Sequence, residues 1–321
     1  MSLSVIGTGS ALPTRVFTNT DLARFVEIDD EWIRTRTGIV RRHVLTGEET
    51  LSELSVTAAK RALENAGIAA GEIDYIICST LGGDFITPSL ACMVQAGVGA
   101  KCPAFDMNAA CSGFIYGLDV AAGLLAGGKA KHVLLICADA LSRVIDWEDR
   151  KTCVLFGDGA AGVVLRAGED LLGIHLTSEG NSEVLHAPFP RGNFPERNSG
   201  APTFVRMNGQ GVFKFAVKAI EEGISGTLAR AGIPGDDVDY VLLHQANIRI
   251  IEAAQKKLSI PAEKYLTNIA DFGNTSSVSI PLTMDTANRK NQFAAGDILV
   301  MCGFGGGLTT GTAVLRWTKS F

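Results

Sequence analysis

No uninterrupted apolar run in this chain approaches the ~18 residues that a membrane-spanning helix needs, so no span is expected. The first residues, Met1-Ser2-Leu3-Ser4-Val5-Ile6-Gly7, carry neither a basic segment nor a long apolar one, so no secretory signal is expected either. A basic excess is also missing. Lys and Arg number 29 against 34 Asp and Glu, a net charge of −5. Without surplus positive charge to neutralise phosphates, general nucleic-acid binding is disfavoured, and any anionic partner must be met by a local patch. Paired cysteines are absent as well. The seven cysteines are an odd number, scattered singly, with no Cys-x-x-Cys and no Cys/His cluster at zinc spacing. That pattern reads as free thiols in a reducing compartment, with no metal site and the cytoplasm as the expected location.

What is present is a large core. The 321 residues are 46% hydrophobic and 20% charged, enough for two domains or one double one. The chain also repeats itself. Residues 66–78 read Ala-Gly-Ile-Ala-Ala-Gly-Glu-Ile-Asp-Tyr-Ile-Ile-Cys, and residues 231–243 read Ala-Gly-Ile-Pro-Gly-Asp-Asp-Val-Asp-Tyr-Val-Leu-Leu. Each copy follows a segment with helical apolar spacing, 52–65 and 212–230, and leads into an apolar strand. The first half continues with strand 75–79, helix 89–97, strand 104–107, helix 112–125, and strands 132–138 and 162–166. The second continues with strand 240–243, helix 248–257, strand 265–268, helix 277–288, and strands 298–302 and 312–316. Near-continuous apolar strands alternating with helices indicate α/β sheets covered on both faces. Two such halves packed together predict a layered α/β/α/β/α body. The boundary is expected within 167–171, giving halves 1–169 and 170–321. Residues 180–201, rich in Gly, Pro, Asn and Ser, are expected as a surface excursion.

Chemistry concentrates in Asn108-Ala109-Ala110-Cys111-Ser112-Gly113-Phe114, Leu243-His244-Gln245-Ala246-Asn247 and Gly273-Asn274-Thr275-Ser276-Ser277. Cys111 follows a strand and opens a long apolar helix. Free N–H groups and the positive dipole end there are expected to lower the thiol pKa and ready it to attack an acyl group. His244 ends an apolar strand, where an unpaired imidazole would be costly, so it needs a partner. Asn274 can donate a hydrogen bond but does not titrate at neutral pH. The remaining cysteines read as buried small hydrophobes, Cys302 included, and His43, His132, His175 and His186 as structural or surface residues. A cysteine hydrolase also uses Cys, His and Asn in this order. The papain-like surroundings of its nucleophile are missing here, and the internal duplication does not fit it. A non-catalytic binding protein would be expected to lack the nucleophile.

Taken in order, these segments resemble the beta-ketoacyl-acyl carrier protein synthase III family, the initiating condensing enzymes of bacterial fatty acid synthesis. So do Asp30-Glu31-Trp32-Ile33-Arg34-Thr35-Arg36-Thr37-Gly38-Ile39, Phe156-Gly157-Asp158-Gly159-Ala160 and Gly303-Phe304-Gly305-Gly306-Gly307. The resemblance runs almost end to end and implies a duplicated thiolase-like fold, a homodimer, and no metal or redox cofactor. It implies that Cys111 takes an acyl group from acyl-coenzyme A. His244 and Asn274 would then stabilise the enolate left when malonyl-acyl carrier protein loses carbon dioxide. The backbone N–H groups of Cys111 and Gly306 would hold the acyl oxygen. Trp32 and Arg150 would sandwich the adenine of coenzyme A, Arg36 would meet its phosphates, and Gly209 and Asn247 would line the pantetheine tunnel. Acyl carrier protein would dock on Lys214, Gln245, Arg249, Lys256 and Lys257. Thr87, Leu141 and Phe156 would shape the acyl pocket, with Thr87 leaving room for a primer longer or more branched than acetyl. A fold relative from secondary metabolism, either an acyltransferase or a polyketide-type condensing enzyme, is the rival reading. Plant-type polyketide synthases are typically longer and usually carry a proline where Gly306 lies.

Overall fold

A computed structural model describes residues 2–188 and 204–319. The first half contains strands β1 (Ser2–Ala11), β2 (Val16–Thr18), β3 (Arg41–His43), β4 (Tyr75–Ser79), β5 (Ala104–Met107), β6 (His132–Asp139) and β7 (Gly159–Gly168). The second contains β8 (Leu171–Asn181), β9 (Leu185–His186), β10 (Arg206–Met207), β11 (Tyr240–Leu243), β12 (Tyr265–Leu266), β13 (Ile298–Gly305) and β14 (Gly307–Arg316). Two five-stranded sheets form, in the orders β1-β7-β6-β4-β5 and β8-β14-β13-β11-β12. Position by position these orders correspond, and so do the directions. β4 is parallel to β5 and β6 as β11 is to β12 and β13. β7 runs antiparallel to β6 and β1 as β14 does to β13 and β8.

The repeated segment builds the same local structure twice. The helices Leu51–Ala66 and Gly209–Ala231 each end on a left-handed glycine, Gly67 at φ 69° and Gly232 at φ 68°. Only glycine takes that C-cap without steric penalty. A short 3-10 turn and an aspartate follow in each copy. Asp74 Oδ2 accepts from the His132 N–H at 3.0 Å, and Asp239 Oδ2 from the Ile298 N–H at 2.8 Å, pinning the next strand alongside.

Three apolar layers bind the sheets. The central one packs the helices Gly113–Ala126 and Ser279–Arg289 between them, through Phe114, Ile115, Leu282 and Met284 against Leu135, Val163, Met301 and Leu315. The helices Leu51–Ala66 and Leu90–Val98 cover the outer face of the first sheet. The helices Gly209–Ala231 and Ile248–Gln255 cover that of the second. The expected α/β/α/β/α layering is therefore present.

Several expected boundaries differ. β1 and β8, the first strand of each half, are additions to the sequence reading. In β1 a Cβ on Gly7 would sit 2.4 Å from the Ala62 carbonyl oxygen and one on Gly9 2.3 Å from that of Ala58. Those glycines let the Leu51–Ala66 helix lie directly on the strand. β13 runs on to Gly305 and β14 starts at Gly307, so the glycine run is the tip of a hairpin rather than a loop. The helix expected over 248–257 ends at Gln255. Of the expected surface excursion, residues 189–201 lie outside the described residues; β9 lies within its first part and pairs with β10, which follows it.

Candidate active site

Where the two sheets' strand ends meet, three short turns converge. Cys111 lies in the 3-10 turn Ala110–Ser112, which feeds the Gly113–Ala126 helix. His244 leaves the end of β11. Asn274 precedes the 3-10 turn Ser276–Val278. All three line one cavity of about 300 Å³, together with Gly305, Gly306 and Phe304 from the β13–β14 hairpin. The glycine tip is in direct contact with the turn that carries Cys111. A Cβ on Gly305 would stand 2.7 Å from the Cys111 backbone nitrogen, and one on Gly303 2.9 Å from Ser112 Cα. A single hydroxyl braces the two. Thr309 Oγ1 lies 2.6 Å from Ser112 Oγ and donates toward Ala109 O at 3.0 Å and Gly306 O at 3.2 Å.

The electrostatics are those of an enclosed site. His244 is 2% exposed, and burial pulls its ring down to about 3, against a weaker opposing hydrogen bond to the Ser276 backbone. The imidazole is thus neutral at physiological pH. Its Nδ1 lies 3.2 Å from Ser279 Oγ, which in turn contacts Thr275 Oγ1 at 3.2 Å, and the ring stands edge-on to Phe304. Asn274 is orientated by its own loop. The Ser276 N–H donates to Asn274 Oδ1 at 2.9 Å, which identifies the oxygen and leaves the amide NH2 as a donor. The loop is anchored by Asn274 N–H to Leu155 O at 2.8 Å and Gly157 N–H to Asn274 O at 3.0 Å. Arg42, fully buried beneath this loop, donates to Val154 O at 2.7 Å and to Asn19 Oδ1 at 2.8 Å.

The expected lowering of the Cys111 pKa is reversed. Burial raises it to about 12, opposed by the Ser276 hydroxyl and helped by the Asp139 charge. Cys111 is partly exposed, but only toward a cavity with apolar walls, so desolvation of a thiolate outweighs the helix terminus. The resting residue is a thiol. Five of the other cysteines are buried and Cys92 is half-buried.

Of the remaining expected residues, Leu141, Phe156, Arg36, Gly209, Asn247 and Arg249 line the cavity. Thr87 does not; it sits on an exposed segment and reaches no wall of its own chain's cavity. Trp32 lies off the wall, and the guanidinium over its indole is that of Arg36, 4.7 Å from the ring centroid, rather than Arg150. Adenine stacking there needs Arg36 to swing away or the opposite indole face. Arg150 is exposed. Gln245 is removed from the docking face. Its side chain is fully buried, donating to Leu243 O at 2.9 Å and accepting from the Asn268 N–H at 3.2 Å. Lys214, Lys256 and Lys257 are exposed, the last 3.7 Å from Glu221. Arg249 donates to Thr35 O at 3.2 Å, tying two helices together at the cavity mouth. Sequence reasoning missed Leu185, Met207, Phe213 and Leu308 in the wall, and it set aside His186, which also lines the cavity. Nothing local marks these residues, because distant segments bring them together.

A duplicated α/β sandwich with a cysteine, a neutral histidine and an asparagine converging at its strand ends defines a condensing enzyme of the thiolase-like class. Family models described as 3-Oxoacyl-[acyl-carrier-protein (ACP)] synthase III and its C-terminal part match residues 105–180 and 228–317. A Beta-ketoacyl-[acyl-carrier-protein] synthase III of Xanthomonas campestris pv. campestris is 46% identical over 318 residues, covering 98% of each chain. The crystal structure of the Aquifex aeolicus 3-oxoacyl-[acyl-carrier-protein] synthase III is 45% identical, with a TM-score of 0.91 over 98% of this chain and 100% of that one. The priming beta-ketosynthase of the R1128 polyketide biosynthetic pathway is 32% identical, with a TM-score of 0.93 over 99% of this chain and 97% of that one. The chain belongs to the beta-ketoacyl-acyl carrier protein synthase III family and is an acyltransferase of the condensing type.

Proposed function

We propose that this enzyme condenses an acyl-coenzyme A primer with malonyl-acyl carrier protein by decarboxylative Claisen chemistry, releasing coenzyme A and carbon dioxide. The carrying observation is that Cys111, His244 and Asn274 meet in one apolar cavity, with His244 held neutral. Cys111 Sγ attacks the primer thioester, and splitting the reaction through an acyl-cysteine makes each half easier. Its own N–H and that of Gly306 receive the acyl oxygen. Loss of carbon dioxide from the malonyl group then places negative charge on its thioester oxygen. His244 Nε2–H and the Asn274 NH2 donate to that oxygen. Two neutral donors suit decarboxylation, which makes a carbanion without a base removing a proton. The enolate attacks the acyl-cysteine to give 3-ketoacyl-acyl carrier protein, the first product of a fatty acid chain.

Arg36 and Arg249 at the mouth would take coenzyme A phosphates, with Gly209 and Asn247 along the pantetheine. The adenine would lie over Trp32 with Arg150 as its second face. Acyl carrier protein, being acidic, would dock on exposed Lys214, Lys256 and Lys257. Leu141 and Phe156 would bound the primer. The exposed Phe85 and Ile86, 54% and 88% accessible, fit a surface covered by a second copy in a homodimer. We further propose a division into halves 1–169 and 170–321, supported by the matching sheet orders, cofactor-free chemistry, and a cytoplasmic location. No helix among the described residues is long and apolar enough to cross a membrane.

The test is incubation with malonyl-acyl carrier protein and a panel of acyl-coenzyme A primers, followed by mass spectrometry. A 3-ketoacyl-carrier product that disappears in Cys111→Ala supports the reading and identifies the primer. Acylated Cys111 without condensation would instead support an acyltransferase or polyketide-type role, which the likeness to the R1128 priming ketosynthase favours as second reading.

A further inference from the structure

Acyl transfer leaves one proton without an obvious acceptor. Cys111 sheds the proton on Sγ as it attacks, yet His244, pulled down to about 3, is a poor base. Among the described residues no carboxylate lines the cavity. One lies directly behind the wall. Asp139 ends β6, is 1% exposed, and is pushed up by burial to about 6.

The Ser276–Val278 turn joins the two places, packing against both the Ala110–Ser112 turn and β6. Ser277 fixes it to the carboxylate. Its Oγ donates to Asp139 Oδ2 at 2.8 Å and its N–H at 3.3 Å, while the Leu81 N–H holds Oδ1 at 2.8 Å. Ser276, the neighbour of Ser277 in that turn, lines the cavity together with Cys111. Ser276 Oγ is buried with no partner at hydrogen-bond geometry in this resting state. A buried hydroxyl is rarely left so unless another state of the site uses it. The backbone agrees. Ser276 is left-handed at φ 56°, and Ala110, in the facing turn, at φ 47°. Non-glycine residues held in that region are strained, and such strain gathers at functional sites.

We propose that Ser276 and Asp139 form a proton relay for acylation of Cys111, an inference that rests on the acyl-transfer chemistry proposed above. As the sulfur–acyl bond forms, the Sγ proton passes to Ser276 Oγ and the Ser276 hydroxyl proton to Asp139. As the acyl–sulfur bond of coenzyme A breaks, the relay runs backward and protonates the departing sulfur. A thiol and a thioester exchange, and nothing is oxidised or reduced. In the relay Ser276 Oγ turns from its unpartnered resting position to meet the thiol, and Asp139 acts through it as a positioning and proton-holding group. The titratable groups facing Asp139 are the thiols of Cys111 and Cys137, both raised by burial. With His244 pulled low across the cavity, the relay is expected to give a rate limb near pH 6 that comes from the carboxylate.

Full-length protein is mixed with acetyl- or isobutyryl-coenzyme A without malonyl-acyl carrier protein, and acylation is timed by rapid quench and intact mass from pH 5 to 8. Asp139→Asn and Ser276→Gly are each expected to slow acylation at least tenfold at pH 7 and to abolish the wild-type limb near pH 6. Glycine adopts the left-handed backbone freely, so Ser276→Gly removes the hydroxyl without straining the turn, and its melting curve checks the fold. Wild-type acylation rates in either variant, or retention of the limb, overturn the relay. Wild-type protein that is not acylated at all overturns the acyl-transfer reading instead.

Discussion

At the scale of single residues, the site's chemistry depends on which proton sits where. Asn274 accepts from the Ser276 N–H through Oδ1, so only its NH2 is left to donate. Asn274→Asp keeps that anchor but replaces the donor with a carboxylate oxygen. We expect decarboxylation to fall ~100- to 1,000-fold, the effect of one oxyanion donor, while acylation of Cys111 persists. Carbon dioxide release and intact mass measure the two separately. His244 makes a second, thermodynamic prediction. Its folded pKa, about 3, lies below an unfolded value near 6.5, so the unfolded chain binds the extra proton between those values. The stability this confers is complete above the unfolded pKa and is lost as pH falls through the window, at up to about 1.4 kcal/mol per pH unit. Asp139, raised to about 6, works in the opposite sense between its ordinary value and that pH. Urea unfolding at pH 7.0 and 5.5 should therefore show a steeper loss for wild type than for His244→Gln, and parallel losses would refute a neutral His244.

At the scale of elements, the β13–β14 hairpin is held against the Cys111 turn by Thr309. Its hydroxyl meets Ser112 Oγ, Ala109 O and Gly306 O. Thr309→Val keeps the shape and removes the brace. Leaving those partners unmet should destabilise the fold by about 1–2 kcal/mol. It should also slow acylation roughly tenfold with little change in coenzyme A affinity, read by stopped-flow acylation beside calorimetric binding. Element identity was largely legible in the sequence, because buried strands such as β6 and β13 are continuous apolar runs. β1 was not, because its glycines answer to the Leu51–Ala66 helix lying across it.

At the scale of the molecule, a net charge of −5 coexists with exposed Lys214 on the Gly209–Ala231 helix and Lys256 capping the end of the neighbouring Ile248–Gln255 helix. Arg249, which the sequence grouped with them, lines the mouth and bonds to Thr35 O, so its loss would disturb both half-reactions. The clean test of carrier docking is Lys214→Glu with Lys256→Glu. The double variant should raise the KM for malonyl-acyl carrier protein at least tenfold, steeply dependent on salt, with acylation by acyl-coenzyme A unchanged. A KM that does not move would place the docking face elsewhere.

The three motifs that meet at Cys111, His244 and Asn274, the repeated segment and the layered architecture were all readable from the chain. Each is written in local pattern: an apolar run stopped by a polar residue, or a segment copied in order. What folding alone decided depends on packing between distant segments. Enclosure turned the expected acidic thiol into one near 12 and the imidazole into a neutral donor. It buried Gln245 inside the fold, bonded to Leu243 O and the Asn268 N–H, and left Thr87 outside its own chain's cavity. It also set Asp139, from the end of β6, behind Ser276 from the other half of the chain. Desolvation and contact across hundreds of residues set those properties, and no local stretch of sequence carries either.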